Sequence, residues 1–516
     1  MSFGVSAKGN LSGRPVCGVY HSTVIGRSCV NQTNSMNDHS EPLPPPDELP
    51  VPASDSALPP DRTPLFDRTD WLSFGVTSLV SLGIYLFTIA PNVTLDFSGM
   101  LATGANYAGV PNPPGFPLWT LYAWLFTKLL PFSNIAWRIA ASSAVAAGLT
   151  CGLLALMTSR GSVLIAEGLN AFRRLESKAE HWLRVICGFV AGMAFGLSTP
   201  FWHFAVIVEA KTLGCLMLML TLCFLMVWTF APGRKRYLYA AALTYGLLLT
   251  CSQSFLVVAL GLAFLILAVD LPMGRDVLIA STLVLTAGLI ANGLDLFQPL
   301  PGYLVGRSAQ FGIYCSITVI VALAATVVVF KTKALLTEWK SLLVSGFCFA
   351  LGLSLSLYLP VASMTNPPSN WGYPRTEEGF YHVITRGQYE RPNPVREMDR
   401  FVMQIGLYAK GVLSNVGVIY VPPALIPFWF LRRMAKRERS WMFGLMATFL
   451  CFSLLLMALI NPNPDRASLE LTSIFFSPSY LIVALWAGLG LFLVGTIISK
   501  QREPARVRET SSPVPP

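Results

Sequence analysis

Charge is scarce in this chain of 516 residues: Asp, Glu, Lys and Arg together make up 12% of it, against 53% hydrophobic residues. The mean hydropathy is +0.56. The length allows three soluble domains, but such domains need far more polar surface than this. Histidine is rarer still, with five in all, and the ten cysteines are scattered. No CxxC pair or His/Cys cluster occurs, and Cys151, Cys187, Cys215, Cys223, Cys251, Cys315, Cys348 and Cys451 sit inside apolar runs. That pattern excludes a disulfide framework and a structural metal, and leaves small apolar packing residues. No DxD motif or tight His/Asp cluster is present in the outer loops identified below, so neither a catalytic metal nor a cofactor is expected. No dense basic domain stands apart from the apolar runs. The formal charge of +10 therefore calls for no nucleic acid.

What the chain does have is apolar runs of about 18 to 25 residues, separated by short polar or basic loops, which read as an all-α polytopic membrane protein. About twelve spans are expected. They cover residues 71–90, 134–158, 185–204, 212–231, 237–253, 254–271, 277–294, 309–330, 339–359, 412–431, 441–460 and 471–499. Residues 1–70 are polar and Pro/Ser-rich, with Leu43-Pro44-Pro45-Pro46 and Leu58-Pro59-Pro60, and are expected to be a disordered tail. They lack the pattern of a signal peptide. Residues 71–499 form the transmembrane domain and residues 500–516 a second tail.

Lys and Arg concentrate in alternate loops: Arg160 to Arg184, Arg234-Lys235-Arg236, Lys331 with Lys333, Arg432 to Arg439, and Lys500 to Arg508. Placing these inside makes both termini cytoplasmic. The sequon Asn31-Gln32-Thr33 then lies away from any glycosylation machinery. Leu118 to Pro131 is apolar but short, carries Lys128 and is bounded by prolines, so it reads as an interfacial or re-entrant helix in the first outer loop. Counting it as a span would turn every later basic loop outward.

The polar segments of the outer face are then the stretch after Ala90, the turn Ser198 to Lys211, the long loop Pro360 to Lys410, and Asn461 to Ser468. The first carries Asp96, a carboxylate about five residues past a membrane exit. Such an acid is a candidate proton acceptor, or else a turn or helix-capping residue before Ser98 and Gly99.

Several motifs recur in order: Asp96-Phe97-Ser98-Gly99, Asn112-Pro113-Pro114-Gly115-Phe116-Pro117, Ala136-Trp137-Arg138, Phe201-Trp202-His203 with Glu209-Ala210-Lys211, and Asn366-Pro367-Pro368-Ser369-Asn370-Trp371-Gly372. Together, over residues 71–500, they resemble the bacterial domain-of-unknown-function 2723 family. That family is related to transmembrane protein 260, a protein O-mannosyltransferase, within the GT-C glycosyltransferase superfamily. The resemblance implies a GT-C-like bundle in a bacterial inner membrane with its active site on the extracytoplasmic side. It implies a polyprenyl-phosphate-linked sugar donor, mannose being one such sugar, and a protein, lipid or glycan acceptor, with inversion at the anomeric carbon. Surrounding membrane lipids complete the partners.

Carried over residue by residue, the resemblance makes Asp96 the catalytic base and places Asn112, Glu209, Lys211, Asn370, Trp371, Arg375 and Arg386 at the substrate. Planar guanidinium groups suit a lipid phosphate and aromatic faces suit a sugar ring. The alternative for these charges is a solvated surface, with Arg375 and Arg386 paired to Glu377, Glu378 and Glu390, and Glu209 and Lys211 paired to each other. The chain also departs from the family pattern. Met100 stands where a second acid is usual, Asn112 where a histidine is usual, and Thr250-Cys251-Ser252-Gln253 where Asn-His is common. Three readings therefore stay open: a lipid-linked glycosyltransferase, a catalytically inactive scaffold of the same fold, and a transporter or flippase. Few charges lie within the spans to serve transport, Asp270 and Asp295 being at span ends.

Overall fold

Backbone polar groups that cannot reach water must satisfy one another, and in an apolar chain the helix does this within one segment. The computed structural model describes residues 64–95, 97–169, 177–293, 309–389 and 394–510, and they are predominantly helical. In order come α1 (Arg68–Thr88), α2 (Ser98–Asn106), α3 (Pro117–Leu129), α4 (Ile135–Gly168), α5 (Ser177–Gly196), α6 (Thr199–Ala205), α7 (Lys211–Phe230), α8 (Arg236–Cys251), α9 (Ala259–Val269) and α10 (Leu271–Gly293). Further helices include Ala309–Thr332, Trp339–Leu353, Tyr358–Met364, Glu377–Ile384, Met398–Val412, Lys436–Leu450 and Arg466–Thr510.

Among the described residues nine helical runs are long and apolar enough to cross a bilayer, and a tenth is the pair 178–196 and 199–205, bent by 79° at its break. The two remaining expected spans are helical but short. α8 has 16 residues, and the run Gln253–Val269 also falls below spanning length. α3 has 13 residues, about 20 Å of helix, which is too short to cross. Several expected boundaries move: α4 runs on past Thr158 to Gly168, α10 starts at Leu271, before Val277, and the last helix starts at Arg466, before Leu471. α1 starts at Arg68, before Trp71; the last helix runs on from Ser499 to Thr510; and Met398–Val412, placed in the long outer loop, is helical and continuous with an apolar run to Arg433.

α1 packs by a rule opposite to that of a soluble helix. Leu79 and Phe87 are exposed, whereas Ser73, Thr77, Ser78, Ser81 and Tyr85 are buried. Lipid tails are as apolar as leucine, so helices in a membrane gain by close backbone approach rather than by hiding apolar groups. Here that approach runs over glycines spaced four apart, Gly148 and Gly152 on α4 and Gly188, Gly192 and Gly196 on α5. A Cβ at Gly192 would come within 2.5 Å of Thr77 Cγ2, and one at Gly148 within 3.1 Å of Leu82 Cβ. Tyr85 Oη donates to the Gly196 carbonyl at 2.8 Å, which closes the three-helix seam.

At the bundle end where α1 begins, charges pair. Asp67 and Asp70 form a capping box on α1. Arg184 of α5 donates to both carboxylates at 2.7 Å, and Ser159 of α4 donates to Asp70 at 2.5 Å. Burial raises the Asp67 carboxyl, but the Arg184 hydrogen bond and charge, with two backbone donors, outweigh it and hold the pKa below the usual range. Arg275, fully buried, pairs with Asp276 and reaches Thr332 at 3.1 Å and Thr337 at 2.8 Å. Lys235 pairs with Glu338.

Candidate functional site

The other end of the bundle holds the loops. The chain leaving α1 is tied back at once: Ala90 N–H donates to the Val206 carbonyl at 2.9 Å, and Trp202 Nε1 donates to Thr88 Oγ1 at 3.0 Å. Asn134, the N-cap of α4, donates to the Pro91 carbonyl at 2.7 Å and to Asn92 Oδ1 at 2.9 Å. Asp96 itself lies outside the described residues. Its neighbours Leu95 and Phe97 are exposed, and Thr94 and Ser98 share a hydrogen bond at 2.7 Å across it.

From α2 the chain turns through residues 107–116 and meets a segment more than 250 positions away. Val110 forms a parallel bridge with Asn370: Val110 N–H donates to the Ser369 carbonyl at 2.8 Å, and Trp371 N–H donates to the Val110 carbonyl at 3.1 Å. Tyr358 Oη donates to the Ala108 carbonyl. The approach is close enough to require glycine, since a Cβ at Gly109 would lie 2.5 Å from the Ser369 carbonyl oxygen. Gly115, at φ +87°, faces Leu359, whose Cδ2 would be 2.5 Å from an added Cβ.

This docking brings together three of the expected residues. Asn112 Nδ2 donates to Tyr389 Oη at 3.0 Å, and the Arg386 guanidinium stacks 4.5 Å from the Tyr389 ring centroid. Asn370 Nδ2 donates to the Ser363 carbonyl at 3.3 Å. Asn112 Oδ1, Asn370 Oδ1 and Arg386 Nε are all buried without a partner. Unmet buried polar atoms are uncommon in folded proteins because each lacks the hydrogen bond it had in water. A third segment joins them: Gln253, at the start of the 3-10 turn Gln253–Val258, donates to the Ile384 carbonyl at 2.6 Å.

Of the other expected residues, Trp371 joins the junction only through its backbone N–H, and the rest lie elsewhere. Arg375 is exposed, bonded to Asn366 Oδ1 at 2.7 Å, and Trp371 is 43% exposed. Glu209 Oε1 accepts from the backbone N–H groups of Ala210 at 2.9 Å and Lys211 at 3.3 Å. It therefore caps the start of α7 and makes no ion pair with Lys211. Lys211 Nζ instead sits 5.3 Å from the Phe204 ring and 5.0 Å from the Phe475 ring, in a cleft beside α6. Arg138, part of a quoted motif, holds the α3–α4 corner by donating to the carbonyls of Thr127, Phe132 and Ser133. The role of Gln253 and the pairing of Asn112 with Tyr389 leave no local sequence signal, since the latter joins residues 277 positions apart. Among the described residues, no three His, Cys, Asp or Glu side chains gather as a metal would require.

Fold and loops thus define the class: a polytopic helical membrane protein whose first loop is docked on a later one at one end of the bundle. The comparisons with known proteins narrow it. Residues 98–272 match the family described as protein O-mannosyl-transferase TMEM260 N-terminal domain, so the resemblance read from the motifs holds over that stretch. Asn112, Glu209 and Lys211 fall inside it. The chain is 27% identical over 229 residues to the protein O-mannosyl-transferase TMEM260 of Mus musculus, covering 43% of this chain and 29% of that protein. It is 25% identical over 208 residues to the tmem260 protein of Dictyostelium discoideum, covering 37% of this chain and 22% of that one. The matches thus span less than a third of either relative. Among solved structures, ArnT from Cupriavidus metallidurans, bound to undecaprenyl phosphate, aligns over 86% of this chain and 80% of its own at 12% identity, with a TM-score of 0.26. At that overlap the two backbones do not inform each other.

Proposed function

We propose that this protein is a membrane glycosyltransferase that moves a sugar from a polyprenyl-phosphate carrier to an acceptor hydroxyl on the extracytoplasmic side, with mannose the sugar suggested by the relatives' names. The observation that carries this reading is the junction of residues 108–116 with residues 358–389, where Asn112 Oδ1, Asn370 Oδ1 and Arg386 Nε are buried and find no partner among the described residues. Hydroxyls of a sugar and oxygens of a phosphate can partner these atoms. The family match over residues 98–272 supports the same reading.

In the proposed reaction the acceptor oxygen attacks the anomeric carbon and the bond from that carbon to the phosphate oxygen breaks. The carrier leaves as polyprenyl phosphate. Asp96 accepts the proton lost by the acceptor hydroxyl, and the arginine at the loop junction steadies the departing charge.

Asp96→Asn in the purified protein should lower transfer from a lipid-phosphate sugar by at least about a hundredfold, the usual worth of a positioned base, with unchanged melting. Undiminished transfer would remove Asp96 from the role. One feature favours a second reading, a catalytically inactive scaffold: Met100, Asn112 and Ser252 stand at positions where acids or proton-exchanging side chains are usual in the resembling family. Wild-type protein with no turnover on any lipid-linked sugar, together with a co-purifying partner, would establish that reading.

A further inference from the structure

The short helix Glu377–Ile384 delivers Arg386 to the loop junction, and the way it ends decides where that side chain points. A helix leaves its last four carbonyls short of helical partners. Here each is met. The Tyr381 carbonyl accepts from Thr385 N–H at 2.8 Å, the His382 carbonyl from Gly387 N–H at 2.9 Å and the Val383 carbonyl from Arg386 N–H at 3.2 Å. The last two bonds cross, as they do where a helix ends on one left-handed residue, most often glycine. Arg386 takes that conformation instead, at φ +55°, although Gly387 is the next residue. A left-handed backbone costs free energy in any residue with a Cβ, so an interaction outside the helix has to hold its end one residue ahead of the glycine.

The fourth carbonyl, that of Ile384, accepts from Gln253 Nε2 at 2.6 Å. In a helix that ran on, this oxygen would accept the N–H four positions later, that of Gln388. Gln253 occupies it, and the chain turns at Arg386. Gln253 is itself fixed to the bundle. The hydroxyls of Ser252 and Ser254 are bonded to each other at 2.9 Å across it. Phe255, in the same 3-10 turn, is buried edge-on to Phe452 with ring centroids 5.6 Å apart, and a Cβ at Gly214 of α7 would lie 2.8 Å from its ring. The bond therefore joins a packed point of the bundle to the end of a loop helix 131 positions away. Beyond the turn, Tyr389 N–H donates to the Arg386 carbonyl at 3.0 Å, and the guanidinium lies over the Tyr389 ring with Nε buried and unpartnered. A helix continued through these residues would change the backbone direction from Arg386 onward, and with it the aim of the guanidinium.

We infer that Gln253 is a positioning residue: by holding the Ile384 carbonyl it fixes the left-handed turn at Arg386, and so the aim of the Arg386 guanidinium into the loop junction. The inference rests on the glycosyltransferase reading only for what Arg386 does there; the tie between Gln253 and the turn stands on its own contacts and is tested without turnover.

Full-length protein in nanodiscs is followed by hydrogen–deuterium exchange with mass spectrometry, each variant read against wild type at the same pH, beside sugar transfer from a lipid-phosphate donor. Gln253→Met removes the donor and keeps the length. Exchange at residues 385–387 should quicken about 2- to 10-fold and transfer should fall about 2- to 10-fold, the worth of one hydrogen bond, with α4 exchange and the melting temperature unchanged. Gln253→Glu gives a readout that lost packing would not move. Its carboxylate repels the Ile384 carbonyl, and its protonated form donates to it, so its excess exchange and its deficit in transfer should both shrink as pH falls from about 7 toward 5. Those of Gln253→Met should not. Unchanged exchange in Gln253→Met would overturn the proposal, as would excess exchange in Gln253→Glu that persists in acid. Faster exchange with transfer undiminished would overturn it too, since the turn would then move without consequence. In a wild-type protein that transfers no sugar, faster exchange in Gln253→Met with recovery of Gln253→Glu in acid would uphold the tie and sink the transferase reading. Wild-type transfer with exchange indifferent to Gln253 would do the reverse.

Discussion

The two ends of this helical bundle treat charge in opposite ways. Where α1 begins, Arg184 faces Asp67, Asp70 and Glu180, Arg275 is locked to Asp276 and two threonines, and Lys235 to Glu338. Arg184 leaves its Nε unpartnered, but its charge is met. At the other end Lys211 faces rings, and Asn112, Asn370, Arg386 and Ser477 each keep a buried polar atom without a partner. Pairing makes the first end a clasp; at the second, unmet atoms from two docked loops collect at one junction. Buried polar atoms without a partner also occur elsewhere, Arg160 Nε and Glu438 Oε2 at the first end among them, so it is the convergence of such atoms from two docked loops, and not their presence, that marks where function is to be sought.

If that contrast is right, variants at the first end should change stability and leave ligand binding alone, and variants at the second should do the opposite. The largest effect is expected for Arg184→Met, which strands the fully buried Asp70: a loss of about 3–5 kcal/mol, read as a lower melting temperature in detergent with lipid-phosphate binding per folded molecule unchanged. A binding defect there would break the contrast. Next comes Gly115→Ala, which forces a side chain into φ +87° against Leu359 at about 1–3 kcal/mol of local strain. It should loosen the junction between the loops, raising protease sensitivity of residues 358–389 and lowering transfer, while the bundle melts as before.

Tyr389→Phe removes the hydroxyl that Asn112 holds at 3.0 Å. Losing one neutral hydrogen bond, about 0.5–1.5 kcal/mol, should lower transfer roughly 2- to 10-fold with no measurable change in melting.

The smallest effect concerns pH. The hydrogen bond from Lys235 depresses the Glu338 carboxyl below its ordinary value of 4.5; burial works against this, and the Lys235 charge, with Ser341 and Arg275, adds to the lowering. A depressed folded-state pKa means that the pair's contribution is complete above the ordinary value and drains away as pH falls through the lowered one. Wild-type protein should therefore melt slightly above Glu338→Gln at neutral pH, with the gap closing in acid. A gap that persists in acid would assign the difference to packing.

The helical, many-span character was legible in the chain because an apolar run long enough to cross a bilayer has one way to satisfy its backbone. The short α3 was legible too, from length and from proline bounds. Less legible was the seam of α1, α4 and α5. Its glycines at spacing four were there to read, but which serines they meet depends on helix rotation. The split among the expected site residues could not be read at all: Arg375 and Arg386, eleven positions apart, look alike in sequence, yet one is exposed beside Asn366 and the other is stacked on Tyr389.

The residue order by itself determined that this is a helical membrane protein, because hydropathy and run length act locally along the chain. The tertiary structure alone decided that Asn112 meets Tyr389, on whose ring Arg386 stacks, that Glu209 caps α7 without pairing to Lys211, and that Lys211 shares a cleft with Ser477. Those pairings join segments up to 277 positions apart, and only the packing of helices in three dimensions sets which of them come within hydrogen-bonding reach.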